Sequence, residues 1–310
     1  TQKEALQYLA GYCKYNEINF VKHVLKTDVF PNVGHSFKNK AMYLGYLVNK
    51  MILFALNELS DTNRDSYLYK RVDVSGILMG NAFRDAYNQF RNHVKNRIDR
   101  EFIYGSWKDM NEFNTIITNS KDSIFDKEII TSFIKKSFKG KWGIRESEGI
   151  VQDLNRLSFM GYISHIRRVN TPMDRSLKLV TPHRLDASHW GFMCPIESPD
   201  GENIGLLKHI ATSCQISEEV DDEDSIISLL KTHNVTLVQD LIPIELYGLT
   251  KVILNNNWIG VHTDAKQLLD IFKALKQSGQ ISSHSSISWN ILENEIELFT
   301  DAGRCVRPLY

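Results

Sequence analysis

The 310 residues exceed the roughly 250–300 at which a single hydrophobic core stops growing, so two or three lobes are expected. Apolar residues at 42% and charged residues at 24% give the composition of a globular protein, and no apolar run approaches the roughly 20 residues of a membrane-spanning helix. The net charge of zero conceals a division: residues 1–190 carry 29 Lys and Arg against 20 Asp and Glu, whereas residues 191–310 carry 8 against 17, so only the first part suits a polyanion.

The first 140 residues read as helical. Ala5, Leu6, Leu9 and Ala10, then Phe20, Val21, Val24 and Leu25, return at three- and four-residue steps. Further helices are predicted over residues 41–59, 74–103 and 123–138. The second of these ends in Arg91, His93, Lys95, Arg97 and Arg100, where the helix dipole favours cations, and the third is closed by Gly140. "DSYLYKRVDVSG" between them is a loop by composition, and Asp65, Lys70, Arg71 and Asp73 within it read as an ion-paired bend.

A helix is predicted over residues 148–169, followed by a long loop, "NTPMDRSLKLVTPHRLDASHW". A buried strand is predicted over residues 206–216, and the acidic run "EEVDDED" marks a module boundary. Beyond it lie a hairpin turning at Asn255 to Asn257, a helix "AKQLLDIFKALKQSG" capped by Gly279, and paired short strands in "ISWNILENEIELFTDAG". Trp258, Tyr247 and Phe272 read as core, because base stacking needs an exposed basic platform and this part is acidic. The fold class expected is α+β and multidomain: a helical N-terminal part, a mixed middle region and a small α/β domain.

No GxGxxG, Walker, HExxH or GxSxG pattern occurs. Cys13, Cys194, Cys214 and Cys305 form no CxxC pair, which favours a reduced intracellular setting, and the spacing of His183, His189 and Cys194 does not match structural zinc. Two features remain. His165, Arg167, Arg168, Arg175, Lys178 and Arg184 form a basic cluster around a loop, and guanidinium forks suit phosphate oxygens. In "CPIESPDGENIG", Pro195 and Pro199 stiffen a turn that presents Glu197 and Asp200, while Gly201 and Gly205 let the chain reverse. A turn-forming acid and an acid aimed at a ligand are both open for Glu197.

The order of the motifs adds a resemblance. "VQDLNRLSFMGYISHIRRVNTP" followed by "RLDASHWGFMCPIESPDGENIGLLKHI" resembles the fork region of the second-largest subunit of multisubunit DNA-dependent RNA polymerases. "DSYLYKRVDVSG" upstream and "FTDAGRCVRPLY" downstream are similar to two further stretches of that family, in the same order. The pattern is nearer to eukaryotic and archaeal enzymes than to bacterial ones, and its divergence would suit a large DNA virus. Ser198 and Asp200 depart from the family's usual Thr and Glu, and Leu68 with Tyr69 from its usual small pair.

The resemblance implies residues 1–75 as the C-terminal part of the lobe, 76–140 as a helical return to the protrusion, 141–220 as the fork and 221–310 as an external domain. It implies that Arg167, Arg168, Arg175 and Lys178 contact nucleic acid near the downstream edge of the transcription bubble, and that Gln152 and Arg156 face the RNA–DNA hybrid. Glu197 would lie beside the active centre without being a metal ligand. Partners implied are the largest subunit, smaller subunits, DNA template, RNA and nucleoside triphosphates, with no membrane, in the nucleus or in a cytoplasmic viral factory or virion. Mg2+ would be held mainly by the largest subunit and not by this chain. The chain is therefore expected to be a segment of a polymerase subunit, inactive alone; the alternative is a non-catalytic scaffold that keeps the polymerase fold.

Overall fold

The computed structural model describes residues 1–13, 15–104, 118, 121–173, 179–218, 221–242, 246 and 248–307. Arg175, Lys178 and Tyr247 lie outside the described residues. The chain divides into two units, one made of Thr1–Arg71, Asp186–Phe192 and Ser213–Tyr310, the other of Val72–Leu185 and Met193–Thr212. Helices and short mixed sheets give the α+β, multidomain architecture that composition and periodicity predict.

The first unit begins with α1 (Gln2–Ala10), α2 (Ile18–Thr27) and α3 (Phe37–Ala55). Thr1 and Glu4 close a capping box on α1, and the Ser36 side chain caps α3, which starts it four residues before the apolar pattern does. The buried Lys40 donates to the carbonyls of Leu25, Lys26 and Val29 at 2.9, 2.8 and 2.5 Å, so the cation satisfies acceptors that the end of α2 leaves open.

The second unit carries α4 (Ser75–Tyr104), α5 (Lys121–Ile124), α6 (Glu128–Phe138), α7 (Phe159–Ile166), β1 (Arg168–Asn170) and β2 (Leu207–His209). Ala82 and Ala86 let α4 pack closely on Phe133 of α6. The helix predicted over 123–138 is broken at Asp126, whose Oδ1 accepts from the Glu128 N–H at 2.8 Å; Gly140 stands at φ +106° beyond its end. The long helix predicted over 148–169 shrinks to α7. Gly149 sits at φ +86°, the Asn155 side chain takes the Leu157 N–H at 3.0 Å, and the Ser158 hydroxyl takes that of Gly161 at 3.0 Å, so side chains compete for the backbone until Ser158 starts the helix.

The strand predicted over 206–216 is likewise two pieces. β2 pairs antiparallel with β1, and β3 (Gln215–Ile216) belongs to the first unit. Arg167 accounts for the interruption, because its guanidinium draws the carbonyls of Ile210 (3.3 Å) and Ala211 (2.5 Å) out of the ladder.

The first unit continues with α8 (Glu223–Thr232), β4 (Thr236–Leu237), β5 (Thr250–Leu254), β6 (Asn257–His262), α9 (Ala265–Gln277), β7 (Ser286–Asn290), β8 (Glu295–Phe299) and β9 (Cys305–Val306). Five strands form one sheet in the order β4-β6-β5-β8-β7, antiparallel except for β5 with β8. The β5–β6 hairpin turns through Asn255 and Asn256 at φ +48° and +64°, a left-handed pair that asparagine tolerates. Val252, Leu254, Ile296 and Leu298 bury one sheet face against Ala265, Leu268 and Phe272 of α9 and Ile226 and Leu230 of α8. Trp258 and Val261 meet Tyr43 and Tyr46 of α3 on the other face. Trp258 and Phe272 are thus core.

Polar ties complete this unit. Glu295, 1% exposed, accepts from Tyr46 (2.9 Å), Lys251 (3.0 Å) and Lys50 (3.1 Å), and burial pushes the Tyr46 phenol above its usual range. β3 pairs with β9, and the buried Arg304 donates to the carbonyls of Asp301 (2.9 Å) and His284 (2.8 Å) and to the Ser286 hydroxyl (2.6 Å). Of the ion-paired bend, Lys70 lies 3.9 Å from Asp65, Arg71 bonds Asp301, and Asp73 is exposed.

Candidate functional site

The second unit gathers polar side chains from α7, β1, β2 and the Pro-Gly corner. β1 and β2 pair in a register that sets Arg168 opposite His209. Arg168 Nε–H reaches His209 Nε2 at 3.3 Å, and His209 Nδ1 lies 3.0 Å from the Glu197 carbonyl. A carbonyl can only accept, so Nδ1 carries the proton and Nε2 is left to accept from the arginine. The Glu197 carboxylate is 3.7 Å from the same Nε2 and takes the Ser164 hydroxyl of α7. The histidine side chain is 6% exposed and the glutamate 48%, so a buried ring links an exposed guanidinium to a half-exposed acid.

The corner is held by its own backbone. Cys194 N–H donates to the His209 carbonyl at 2.8 Å, and Gly205 N–H to the Ser198 hydroxyl at 2.9 Å. Gly201 and Gly205 stand at φ +79° and +70°, and a Cβ on Gly205 would lie 2.3 Å from the His183 carbonyl oxygen. Only glycine permits both that conformation and that approach. Asp200 precedes the short turn at Gly201–Asn203 without capping it through its side chain.

Gln152 and Arg156 lie on the extended segment before α7. His165 Nδ1 accepts from the Asn155 N–H at 3.0 Å, so its Nε2–H donates to Gln152 Oε1 at 2.9 Å, while the Gln152 amide N–H reaches the Gly149 carbonyl at 2.6 Å. The exposed Arg156 guanidinium stacks over the Tyr162 ring at 4.8 Å. Arg167 spends Nε and one terminal nitrogen on the end of β2, and Arg168 keeps its terminal nitrogens without a partner among the described residues.

The sequence points to Glu197, Arg167 and Arg168 but not to His209 or Ser164. The signal for Ser164 was its place one turn before Arg168 on the helix that leads into β1. For His209 there was none short of the strand register. His183 and Cys194 serve the backbone here, His183 Nδ1 donating to the Ile204 carbonyl at 2.7 Å. In the first unit, the buried His189 lies edge-on to Tyr67 at 4.7 Å. Among the described residues no three His, Cys, Asp or Glu side chains gather as metal ligands.

The segment that builds the site, residues 152–216, matches the family model for RNA polymerase Rpb2, domain 3, and residues 252–310 match that for RNA polymerase Rpb2, domain 4. DNA-directed RNA polymerase II subunit RPB2 of Eremothecium gossypii is 31% identical over 309 residues, covering 97% of this chain and 24% of that protein. DNA-directed RNA polymerase II subunit 2 of Arabidopsis thaliana is 30% identical over 323 residues, 100% of this chain and 26% of that protein. DNA-directed RNA polymerase subunit 2 of Acanthamoeba polyphaga mimivirus is 29% identical over 279 residues, 87% of this chain and 23% of that protein. The chain belongs to the family of second-largest subunits of DNA-directed RNA polymerases. It spans about a quarter of the length of the curated relatives it matches.

Proposed function

We propose that this chain works as part of the second-largest subunit of a DNA-dependent RNA polymerase, with the surface formed by α7, β1, β2 and the Pro-Gly corner turned toward nucleic acid and nucleotide during RNA synthesis. The supporting observation is the Arg168–His209–Glu197 chain: an exposed cation, anchored through one N–H, beside an acid fixed by a hydroxyl. Arg168 would hold a phosphate of the strand through its remaining N–H groups, charged at any working pH. Arg167 props the end of β2 and adds its charge to the same patch, and in this reading Arg175 and Lys178 would contact nucleic acid as well. Gln152 and Arg156 would face the RNA–DNA hybrid, and Glu197 would orient basic groups around the incoming triphosphate.

The partners in this reading are the largest subunit, smaller subunits, template DNA, RNA and nucleoside triphosphates, in the nucleus or a viral factory. Mg2+ would be held mainly by the largest subunit. Among the described residues Glu197 has a hydroxyl and an imidazole for neighbours rather than a second carboxylate, so the residues described here do not fit a metal centre.

Two measurements test the proposal. In an enzyme assembled with a co-purifying largest subunit, Arg168→Ala should slow elongation and weaken nucleic-acid binding regardless of sequence, with the log–log salt slope falling by about 1. An unchanged slope removes the phosphate contact. Glu197→Ala should raise the KM for nucleoside triphosphates or alter their discrimination, and unaltered kinetics return Glu197 to a turn-forming role.

A further inference from the structure

His209 is the least expected member of the site. It lies in an apolar run, its side chain is almost wholly buried, and yet both ring nitrogens are engaged by groups of the candidate site: Nε2 by Arg168 from β1, Nδ1 by the backbone of Glu197 from the corner. Among the described residues, the charged groups facing the ring are Arg168 and the Glu197 carboxylate; Ser164 meets it only through that carboxylate, and Lys208 projects from the other face of β2. The Arg168 guanidinium is therefore aimed by a nitrogen that can accept only while it carries no proton.

We propose that His209 is a positioning residue for the phosphate-binding arginine: the neutral ring holds Arg168 in its binding orientation, and a proton on Nε2 releases the arginine and passes the ring to Glu197. This rests on the reading of Arg168 as a phosphate contact and adds to it a proton-controlled step. When Nε2 takes a proton it becomes a donor, loses the Nε–H of Arg168, and faces Glu197 Oε1 at 3.7 Å with opposite charge. Arg168 stays charged but loses its anchor, so the entropy of ordering a long side chain must then be met by the phosphate contact itself.

The two ring nitrogens can be imitated separately. The glutamine carbonyl oxygen reaches the place of Nε2 and can accept from Arg168 without titrating; the asparagine amide reaches only the place of Nδ1. In the assembled enzyme, binding of a fluorescent DNA fork that mimics the downstream edge of the bubble is measured from pH 5.5 to 8 for the parent, His209→Gln, His209→Asn and Arg168→Ala. The parent should bind more weakly at the acid end. His209→Gln should hold its neutral-pH affinity and lose the acid weakening, whereas His209→Asn should be weaker at every pH by roughly three- to tenfold, the worth of one lost hydrogen bond.

If Arg168→Ala binds as well as the parent, the phosphate reading fails and this one with it. If Arg168→Ala weakens binding but both His209 variants keep the parent pH profile, only the positioning role is overturned. Nitrogen NMR of the His209 ring covers the case of an unstable variant: a proton on Nδ1 at neutral pH supports the assignment, and a proton on Nε2 overturns it.

Discussion

Gly205→Ala is expected to destabilise the second unit by roughly 2–4 kcal/mol, the sum of a left-handed conformation on an L-residue and an overpacked contact. The added methyl would stand 2.3 Å from the His183 carbonyl oxygen and 2.8 Å from its carbon, and both are backbone atoms with no rotamer to move away. Gly201 supplies the control. It has nearly the same φ, +79° against +70°, but nothing within 4 Å of its added Cβ, so Gly201→Ala should cost only about 1–2 kcal/mol. Denaturant titration followed by hydrogen exchange of the 193–212 amides separates the two. Equal losses would mean that conformation alone, and not the approach to His183, demands glycine at 205.

Arg304→Met is expected to cost the first unit roughly 3–5 kcal/mol, as removal of one member of a buried charged network usually does. The side chain is 6% exposed and holds two carbonyls and a hydroxyl, from Asp301, His284 and Ser286. Methionine fills much of the stem volume but takes the donor from the His284 carbonyl and the Ser286 hydroxyl, and leaves the Asp301 carbonyl with the Ser217 hydroxyl alone. Lysine keeps the charge, but one ammonium cannot span acceptors arranged for a planar fork, so Arg304→Lys should recover less than half the loss. The amides of Ser217 and Arg304, which join β3 to β9, report the change by hydrogen exchange. A loss below about 1 kcal/mol would show that water replaces the guanidinium without penalty.

These two residues also mark how far the amino-acid sequence is legible. α4 and α9 lie within a residue or two of their predicted bounds because a buried stripe repeats along them and Gly279, at φ +77°, stops α9 where a glycine should. The 148–169 helix failed because Asn155 and Ser158, ordinary polar positions in a periodic reading, bind the backbone and hold it off helix until α7 begins. The strand over 206–216 failed because Arg167, forty-odd residues away, bends its end. Local signals carry local structure; a contact that reaches across the chain leaves no trace in periodicity.

The candidate site follows the same rule. Glu197 is legible as a stiffened acid between two prolines, and Arg168 as one of a basic pair. The histidine between them is not, since its role exists only once β1 and β2 pair with Arg168 opposite His209. Motif order narrows the family from text alone, but it cannot assign the job of a residue whose partners only the strand register supplies.

The first unit is discontinuous, and this has a bearing on its synthesis. Tyr46 of α3 bonds Glu295, 249 residues later, so α3 emerges from the ribosome long before the sheet that receives it. At typical elongation speeds that wait lasts roughly 10–50 s, during which Met42, Tyr43 and Tyr46 of α3, which pack against Trp258 and Val261 in the folded unit, have no docking surface from their own unit. A nascent chain of this kind is a natural client for holding chaperones, and slowing translation over the intervening stretch should raise the fraction that aggregates.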